Sequence, residues 1–388
     1  MNSVLGQLSA EHQMLAETVR EFANQVIAPV AAQHDREHTF PYEVIEKMGA
    51  MGLFALPFPE EVGGMGGDFL SLCLAIEELA RVDQSVAVTL EAAVGLGSTL
   101  IFRHGSDEQK EKFLPPLISG SAISAFGLTE PDGGSDASQL RTTARLEGDE
   151  WVINGAKTFI TNSGTTITSL VILACITGTK EDGSKELSTI IVPNGTPGFT
   201  VEPPYFKLGW HASDTHPLSF TDVHVPARNL LGERGRGYAN FLQALDEGRI
   251  AIAALAVGAA QGCIDESLRY AKQRKAFGKS IGEHQSIAFK IAEMEARTHI
   301  ARLAYYHAAS LLAAGKEFKT EASIAKLVAS EAAMDNARAA TQIFGGYGFI
   351  DEYSVARHYR DSKILEIGEG TSEVQKILIA RSLGLNAQ

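Results

Sequence analysis

The spacing of apolar residues changes twice along the chain, from a helical period to a strand period and back. From Ser9 to about Ser119, apolar positions recur at the intervals of amphipathic helices, as in the stretches 8–26 and 70–80. A glycine-rich stretch at 63–67 interrupts this pattern. Because no strand precedes it and its glycines do not follow the order GxGxxG, we interpret it as a turn.

Between about Ile123 and Leu231, short apolar runs alternate with Gly, Pro and Asp, which is typical of strands. Asn154-Gly155 separates two of these runs and is favoured in tight hairpin turns, so residues 151–161 are predicted to form a β-hairpin. Further strands are predicted at 171–173, 188–192, 199–201 and 218–220.

Helical periodicity returns at Tyr238, with long patterns at 239–273, 283–314 and 320–344. Long helices joined by short connections favour an antiparallel bundle. The sequence therefore predicts an α+β protein of three domains. They are an N-terminal helical domain (1–122), a middle β-barrel or β-sandwich domain (123–234) and a C-terminal antiparallel four-helix bundle (235–388).

Composition narrows the class of protein. Of the 388 residues, 45% are hydrophobic, as in ordinary globular proteins, and the net charge of −13 disfavours binding to nucleic acid. Cys73, Cys175 and Cys263 lack metal-type spacing, which favours buried thiols in a reducing compartment and predicts no metal site. Met1–Ala10 lacks the features of a signal peptide, and no uninterrupted apolar stretch has membrane-spanning length. We expect a cytoplasmic enzyme without membrane insertion.

One carboxylate, Glu369, lies between Gly368 and Gly370 just before an apolar run. Ser372-x-x-Gln375 has the pattern of a capping box, so a helix is predicted from about Glu373, with its free N–H groups directed toward Glu369. An acidic side chain held there is a candidate general base, although a Glu near a helix start is by itself more often a solvated charge.

Five motifs strengthen the interpretation of Glu369 as a general base, because they occur in the order and spacing of one enzyme family. They are Phe126–Asp136, Lys157–Asn162, Gln273–Gly278, Gln342–Gly346 and Gly368–Thr371. Together they resemble the acyl-CoA dehydrogenase family over nearly the whole chain. The resemblance implies that family's fold, and an FAD cofactor that binds without a Rossmann fingerprint.

The resemblance also implies positions for the cofactor. Phe159 occupies a position that is frequently Trp in the family and stacks against the flavin, and Thr161 is implied to lie near flavin N5. Arg274 is implied to reach the FAD pyrophosphate of a neighbouring subunit, so a homo-oligomer, the family's usual homotetramer, is expected. The full set of expected FAD contacts is Phe126, Leu128, Thr129, Gly134, Ser135, Phe159, Ile160, Thr161, Arg274, Phe277, Gln285, Gln342, Ile343, Gly345, Gly346, Thr371, Ser372 and Glu373.

Contacts to the acyl-CoA substrate are implied at Ser135, Asp246, Glu247, Gly248, Arg249 and Gly370. Some members of the family carry their catalytic Glu immediately before the Arg, and this chain has Gly248 there. The base is therefore expected to be Glu369. It would remove the α-proton while the β-hydrogen leaves as hydride to flavin N5, giving the trans-2-enoyl-CoA of fatty acid β-oxidation, with electrons passed to electron-transfer flavoprotein.

Several alternatives stay open at this point. An acyl-CoA oxidase would use the same residues and pass electrons to oxygen. A non-catalytic, DNA-associated relative of the same fold would leave Glu369 unexplained and conflicts with the negative charge, and a nitroalkane oxidase would be expected to have Asp as its base. The chain contains no Arg at 86–88, which disfavours a dicarboxylic substrate of the glutaryl type. Acyl chain length and branching remain open.

Overall fold

The structure is a computed structural model that describes residues 8–386, apart from the side chain of Ser138. The first seven and the last two residues lie outside the described residues. The predictions about the chain's start, and the outer limits of the first and third predicted domains, fall partly on them.

Seven α-helices form the N-terminal part of the fold. They are α1 (Ala10–Phe22), α2 (Ala28–Glu37), α3 (Tyr42–Ala50), α4 (Phe69–Ala80), α5 (Gln84–Leu90), α6 (Thr99–His104) and α7 (Asp107–Ile118). The predicted start of α1 is confirmed, since the Ser9 hydroxyl accepts a hydrogen bond from the N–H of His12. Two π-helical segments, Ala23–Ile27 and Glu91–Ser98, join α1 to α2 and α5 to α6 without a break.

The predicted turn at 63–67 is confirmed. It connects a short 3₁₀ segment, Glu60–Val62, to α4. Asp68 caps α4, because its carboxylate accepts a hydrogen bond of 2.8 Å from the N–H of Ser71.

Eight strands form one mixed sheet. They are β1 (Ile123–Gly127), β2 (Thr143–Glu147), β3 (Glu150–Thr161), β4 (Thr168–Thr179), β5 (Lys185–Pro193), β6 (Phe199–Val201), β7 (Thr215–Pro226) and β8 (Leu230–Leu231). Their order is β6-β7-β3-β2-β4-β5-β8, and β1 pairs in parallel with β4. The strands predicted at 171–173, 188–192, 199–201 and 218–220 are confirmed as parts of β4, β5, β6 and β7.

The predicted hairpin at Asn154-Gly155 is wrong, because β3 runs straight through this dipeptide with only a shift in its pairing to β7. A Cβ at Gly155, which has a φ of 151°, would lie 2.5 Å from Oγ1 of Thr142, so the glycine permits close packing rather than a turn. The side chain of Asn154 instead exchanges hydrogen bonds with Asp222 on β7. The chain reverses at residues 148–149, between β2 and β3.

The C-terminal part is helical again, and its three long predicted helices are confirmed with ends within a few residues. They are α8 (Gly237–Gln273), α9 (Gln285–Ala313) and α10 (Lys319–Phe344), followed by α11 (Ser354–Ser362) and α12 (Ser372–Ser382). A small ribbon of β9 (Lys275–Ala276) and β10 (Lys279–Ser280) lies between α8 and α9. The division into three folding units at 122/123 and 234/235 remains a prediction.

The helix α8 is the centre of this arrangement, because it packs against α4, α9, α10 and the π-helical segment Glu91–Ser98. Within residues 8–386, two helical stretches, Gln84–His104 and Gly237–Gln273, are long and apolar enough to cross a membrane by length and average hydropathy, although polar residues interrupt both. In the most apolar part of each stretch, 94% and 83% of the segment, respectively, is buried inside the fold. Protein contacts already cover this apolar surface, as in the core helices of globular proteins.

Candidate active site

The segment that carries Glu369 is a tight turn between α11 and α12. Glu369 has a φ of 51° and Gly370 a φ of 90°, so two consecutive residues adopt the left-handed conformation. That conformation is uncommon for a residue with a side chain, and it persists only where surrounding contacts hold it. The turn directs the side chain of Glu369 inward rather than along the surface of α12.

The predicted capping box is wrong, although the helix begins close to the predicted position. Thr371 is the N-cap of α12, and its side chain accepts a hydrogen bond of 3.3 Å from the N–H of Val374. Ser372 is already the first helical residue and is buried, while Glu373 is exposed. Gln375 does not form a capping box with Ser372, because its Nε2 donates instead to the carbonyl of Gly370 at 2.9 Å, just before the N-cap.

The carboxyl group of Glu369 occupies a space that Gly248 leaves open. Its Oε2 atom is fully covered and has no hydrogen-bond partner among the described residues. A Cβ at Gly248 would lie 2.4 Å from this Oε2 atom and 3.2 Å from Cδ2 of Leu96. The position at which some relatives carry their base is therefore in contact with the carboxylate of Glu369. Gly248 has no side chain, and the carboxylate of Glu369 fills the space that a side chain there would occupy.

A second buried carboxyl group, Glu91, faces Glu369. Glu91 is fully buried at the start of the π-helical segment, and neither of its oxygens has a hydrogen-bond partner among the described residues. Burial raises the pKa of Glu91 well above its ordinary value, and the negative charge of Glu369 adds to the shift. Because burial and the neighbouring negative charge both disfavour its ionised form, we interpret Glu91 as the protonated member of this pair of carboxyl groups.

The pKa of Glu369 is also shifted toward the neutral range. Burial raises it to about 7, while the interaction with Glu91 and the positive charges of Lys326 and Arg249 act in the opposite direction. A carboxyl group with this pKa is partly ionised at neutral pH and, once it accepts a proton, is stable in the neutral form. Those are the properties of a general base that works near pH 7.

The predicted substrate residues on α8 have partners of their own. Arg249 is buried and bonds to Asp246, which also forms an ion pair of 3.3 Å with Lys319, while Nε of Arg249 has no partner among the described residues. Glu247 is buried, and both of its oxygens are engaged by Arg103. The geometry does not favour Glu247 as a second base, because both oxygens of its carboxylate are already paired with the guanidinium group of Arg103.

The two predicted flavin motifs of the β-domain, 126–136 and 157–162, are held together by buried hydrogen bonds. Nζ of Lys157 donates to the carbonyl of Leu128 at 3.0 Å and to Glu130 at 2.8 Å, and all three groups are buried. The N–H of Thr158 donates to the carbonyl of Thr129 at 2.9 Å. The chain that follows β1 is thereby fixed against β3.

The side chains of these motifs differ in what they can contact. Phe159 has a φ of 59°, its ring is 65% exposed, and it lies 5.0 Å from the ring of Tyr205, so an aromatic face is available to a ligand. Ile160 is buried in the core of the β-domain, and Phe126 packs against Phe241 with ring centres 4.3 Å apart. Ile160 can therefore offer only its backbone. Gly134 and Ser135 are exposed, and Thr161 is half-buried.

Some of the predicted cofactor residues of the helical bundle lie in a second region, a cleft of about 460 Å³ between the ends of α8 and α10. Arg274, Ile343, Gly345 and Gly346 line it, together with Tyr347, whose ring lies 5.9 Å from the guanidinium carbon of Arg274. A Cβ at Gly345 or Gly346 would meet nothing within 4 Å. Open glycine backbone beside a guanidinium group suits an anionic ligand with an aromatic part.

Three further predicted cofactor residues, Gln285, Gln342 and Phe277, are exposed in the single chain and do not line this cleft. Gln285 is the first residue of α9, and Gln342 lies near the end of α10. Phe277, in the turn between β9 and β10, is 96% exposed and has a φ of 51°. The ring of Phe277 is therefore available for contact with another molecule.

Sequence reasoning missed three residues around Glu369. Glu91 was visible as the lone carboxylate within a long apolar stretch, which is a signal for a buried ionisable group. Lys326 lies within an ordinary helical pattern that gives no sign of its burial. Gln375 was assigned to a capping box because the sequence pattern fits one, and only the three-dimensional structure reveals that its side chain turns back toward the base.

The chain is similar to known proteins over nearly its whole length. Family models described as the N-terminal, middle and C-terminal domains of acyl-CoA dehydrogenase match residues 9–121, 125–223 and 235–384. The chain is 45% identical over 373 residues to a short-chain specific acyl-CoA dehydrogenase of Clostridium acetobutylicum, covering 96% of this chain and 98% of the relative.

Solved structures give the same result. The butyryl-CoA dehydrogenase of Megasphaera elsdenii matches with a TM-score of 0.94 and 42% identity over 98% of this chain and 99% of that one. A chain from a structure of the electron transferring flavoprotein of Acidaminococcus fermentans matches with a TM-score of 0.94 and 41% identity, covering 98% of this chain and all of that one. These matches confirm the predicted resemblance and the predicted α+β fold.

Proposed function

Because the chain belongs to the acyl-CoA dehydrogenase family and is an oxidoreductase of that family, we propose that it converts a short-chain acyl-CoA to the trans-2-enoyl-CoA with Glu369 as the base. The relatives named short-chain specific and butyryl-CoA dehydrogenase support a substrate of butyryl size. The observation that carries the proposal is the covered, unpartnered Oε2 atom of Glu369 beside Gly248.

The turn at Glu369 offers both groups that α-proton removal requires. An α-C–H of a thioester is a weak acid, so the thioester oxygen must be polarised while the proton leaves. The N–H of Glu369 makes no hydrogen bond within residues 8–386, and we assign it to that oxygen. The carboxylate of the same residue then accepts the α-proton and becomes neutral, which its buried position favours. When bound, FAD supplies the acceptor for the β-hydrogen, which leaves with its electron pair as the C=C bond forms.

FAD fits the described residues in two places. The exposed ring of Phe159 and the backbone near Thr129 offer a mixed aromatic and polar wall for an isoalloxazine ring. The Arg274 cleft offers a guanidinium group for a diphosphate and open backbone at Gly345 and Gly346. We propose that these residues hold the cofactor, with Phe159 filling the position that is frequently Trp in the family.

We propose that the two regions complete each other between subunits of a homotetramer, the family's usual state. Phe277 and Phe349 are 96% and 92% exposed in the single chain, which supports a covering partner at this end of the bundle. Electron-transfer flavoprotein is the proposed acceptor of the electrons, and the neighbour from the Acidaminococcus electron transferring flavoprotein structure supports it.

The proposed function is tested by mixing the purified FAD-loaded protein with butyryl-CoA in the absence of oxygen. We expect the flavin absorbance to bleach within one turnover and enoyl-CoA to form in equal amount. A series of acyl-CoAs of increasing length should give its highest kcat/KM at butyryl. A preparation that takes up no FAD, or that binds FAD but is not reduced by any acyl-CoA, would contradict the proposal.

The acceptor is tested in the same preparation. We expect the reduced enzyme to turn over quickly with electron-transfer flavoprotein or a dye and slowly in air. Hydrogen peroxide formed in equal amount to product, at a comparable rate, would instead identify an acyl-CoA oxidase.

Glu91→Gln is predicted to keep most of the activity. If Glu91 is already protonated, a glutamine of the same shape is equally neutral, and the rate of flavin reduction should stay within about 10-fold of wild type. Loss of a general base would lower the rate much further. Glu91→Leu removes the polar group whose interaction lowers the pKa of Glu369, so that pKa should rise and the increase of the rate should move to higher pH. Stopped-flow rates between pH 6 and pH 9 measure both effects. Complete loss of activity in Glu91→Gln would mean that Glu91 itself accepts the proton.

A further inference from the structure

Lys326 lies in the N-terminal third of α10, is fully buried and reaches the turn that carries Glu369. Its Nζ donates a hydrogen bond of 2.8 Å to the carbonyl of Gly370. This is an unusual position for a lysine, because a buried ammonium group normally has a carboxylate bonded to it. Here the bonded partner is a neutral backbone carbonyl, and Glu369 acts on the ammonium only through its charge.

The carbonyl of Gly370 is held by two side chains at once. Nε2 of Gln375, also fully buried, donates to the same carbonyl at 2.9 Å and to the carbonyl of Glu369 at 3.4 Å. A Cβ at Gly370 would lie 2.7 Å from this Nε2 atom, so the clamp and the glycine fit together closely. Two donors, one of them charged, therefore converge on the carbonyl oxygen of Gly370, the residue that follows the base.

We propose that Lys326 is a positioning residue, which acts through the carbonyl of Gly370 to hold Glu369 in the left-handed conformation that directs its side chain and its N–H into the active site. Left-handed residues other than glycine are strained, and they persist where the structure around them fixes the backbone. Gln375 is the second member of the clamp. The inference rests on the proposed function of Glu369.

The charge of Lys326 adds a second effect that can be measured separately. The groups that act on Glu369 are Glu91, Arg249 and Lys326, and those that act on Lys326 are Glu369, Arg249, Glu366 and Glu373. The positive charge of Lys326 lowers the pKa of Glu369, so removing it must raise that pKa and move the rise of activity to higher pH. Burial lowers the pKa of Lys326 itself to about 8, so this effect is present below that pH and fades above it.

The test compares Lys326→Met with wild type as FAD-loaded enzyme. Methionine has similar length and fills the space but has neither the charge nor the donor. We expect the rate of flavin reduction by butyryl-CoA to fall about 10- to 100-fold, the effect of a small displacement of a catalytic group, with KM little changed. The pH profile of that rate should move upward, while flavin content and Tm stay close to wild type.

Lys316→Met is the matched control, because Lys316 is exposed just before α10, and its rate and pH profile should equal those of wild type. Gln375→Met removes the other donor without changing any charge. It should lower the rate and leave the pH profile in place. If Lys326→Met yields no FAD-loaded enzyme, the Gln375→Met rate decides, and a rate equal to wild type overturns the clamp.

A purely structural role of Lys326 would lower Tm and flavin content together and leave the pH profile of the remaining activity unchanged, which would also overturn the inference.

The experiments distinguish failure of this inference from failure of the proposed function. Wild-type behaviour of Lys326→Met together with a large loss in Glu369→Gln removes only the positioning role. Unchanged activity in Glu369→Gln removes the base on which both rest.

Discussion

Glu369→Gln is expected to lower the rate of flavin reduction by butyryl-CoA at least about 100-fold, the lower range of general-base contributions. That loss corresponds to about 2.7 kcal/mol of transition-state stabilisation. Glutamine keeps the size of the side chain and the N–H that we assign to the thioester oxygen, and it removes only the proton acceptor. FAD and acyl-CoA should still bind. Stopped-flow measurement of flavin absorbance under anaerobic conditions gives the rate.

Two neighbouring carboxyl groups serve as controls for this result. Glu91 faces the base, and Glu247 lies one position before Gly248 on α8. Glu91→Gln should keep most of the rate for the reason given above. Glu247→Gln should lower stability rather than the chemical step, because it leaves the Arg103 side chain without its carboxylate. A normal rate in Glu369→Gln combined with its loss in Glu247→Gln would move the base to α8.

Gly248→Ala is expected to lower the same rate by about 100-fold while leaving the fold intact. The new methyl group would lie 2.4 Å from Oε2 of Glu369, a distance that real Cβ atoms do not adopt, so the carboxylate must move. Movement of a flexible side-chain end costs little stability, and alanine favours a helix over glycine by up to about 1 kcal/mol. Activity should therefore fall without a fall in Tm, as measured by stopped flow and thermal unfolding.

The double variant Gly248→Ala/Glu369→Gln separates displacement of the base from other effects of the methyl group. If alanine acts by displacing the carboxylate, it should cause little further loss once the carboxylate is gone, because the two changes act on one group. Independent, multiplying losses would mean that Gly248 contributes to the reaction in some other way, for example through the shape of the substrate site around Leu96.

The order of elements and the family could be predicted from the sequence because both depend on long, repeated patterns. The helical periods around 239–273 and 320–344 and the five motifs extend over many residues, so no single deviation conceals them. Predictions that depended on only a few residues were wrong where tertiary contacts override the local preference. Asn154-Gly155 has the pattern of a hairpin, but the close approach of Thr142 requires a glycine within a continuous strand.

The candidate site was predictable at Glu369 and incomplete around it. The two flanking glycines mark a turn and the family motif marks a base, and both signals are local. The groups that adjust the pKa of the base come from distant parts of the chain, Glu91 at the start of the π-helical segment and Lys326 on α10. Their proximity depends on how α8, α10 and the π-helical segment pack, and no local spacing encodes that packing.

The most direct test of the base is exchange of α-hydrogens in heavy water. Acetyl-CoA has α-hydrogens but no β-carbon, so proton removal can occur and hydride transfer cannot. NMR should detect deuterium entering the acetyl group with the wild-type FAD-loaded enzyme and with Glu91→Gln, and no exchange above background with Glu369→Gln. Exchange at the wild-type rate in Glu369→Gln would contradict the assignment of Glu369 as the residue that removes the α-proton.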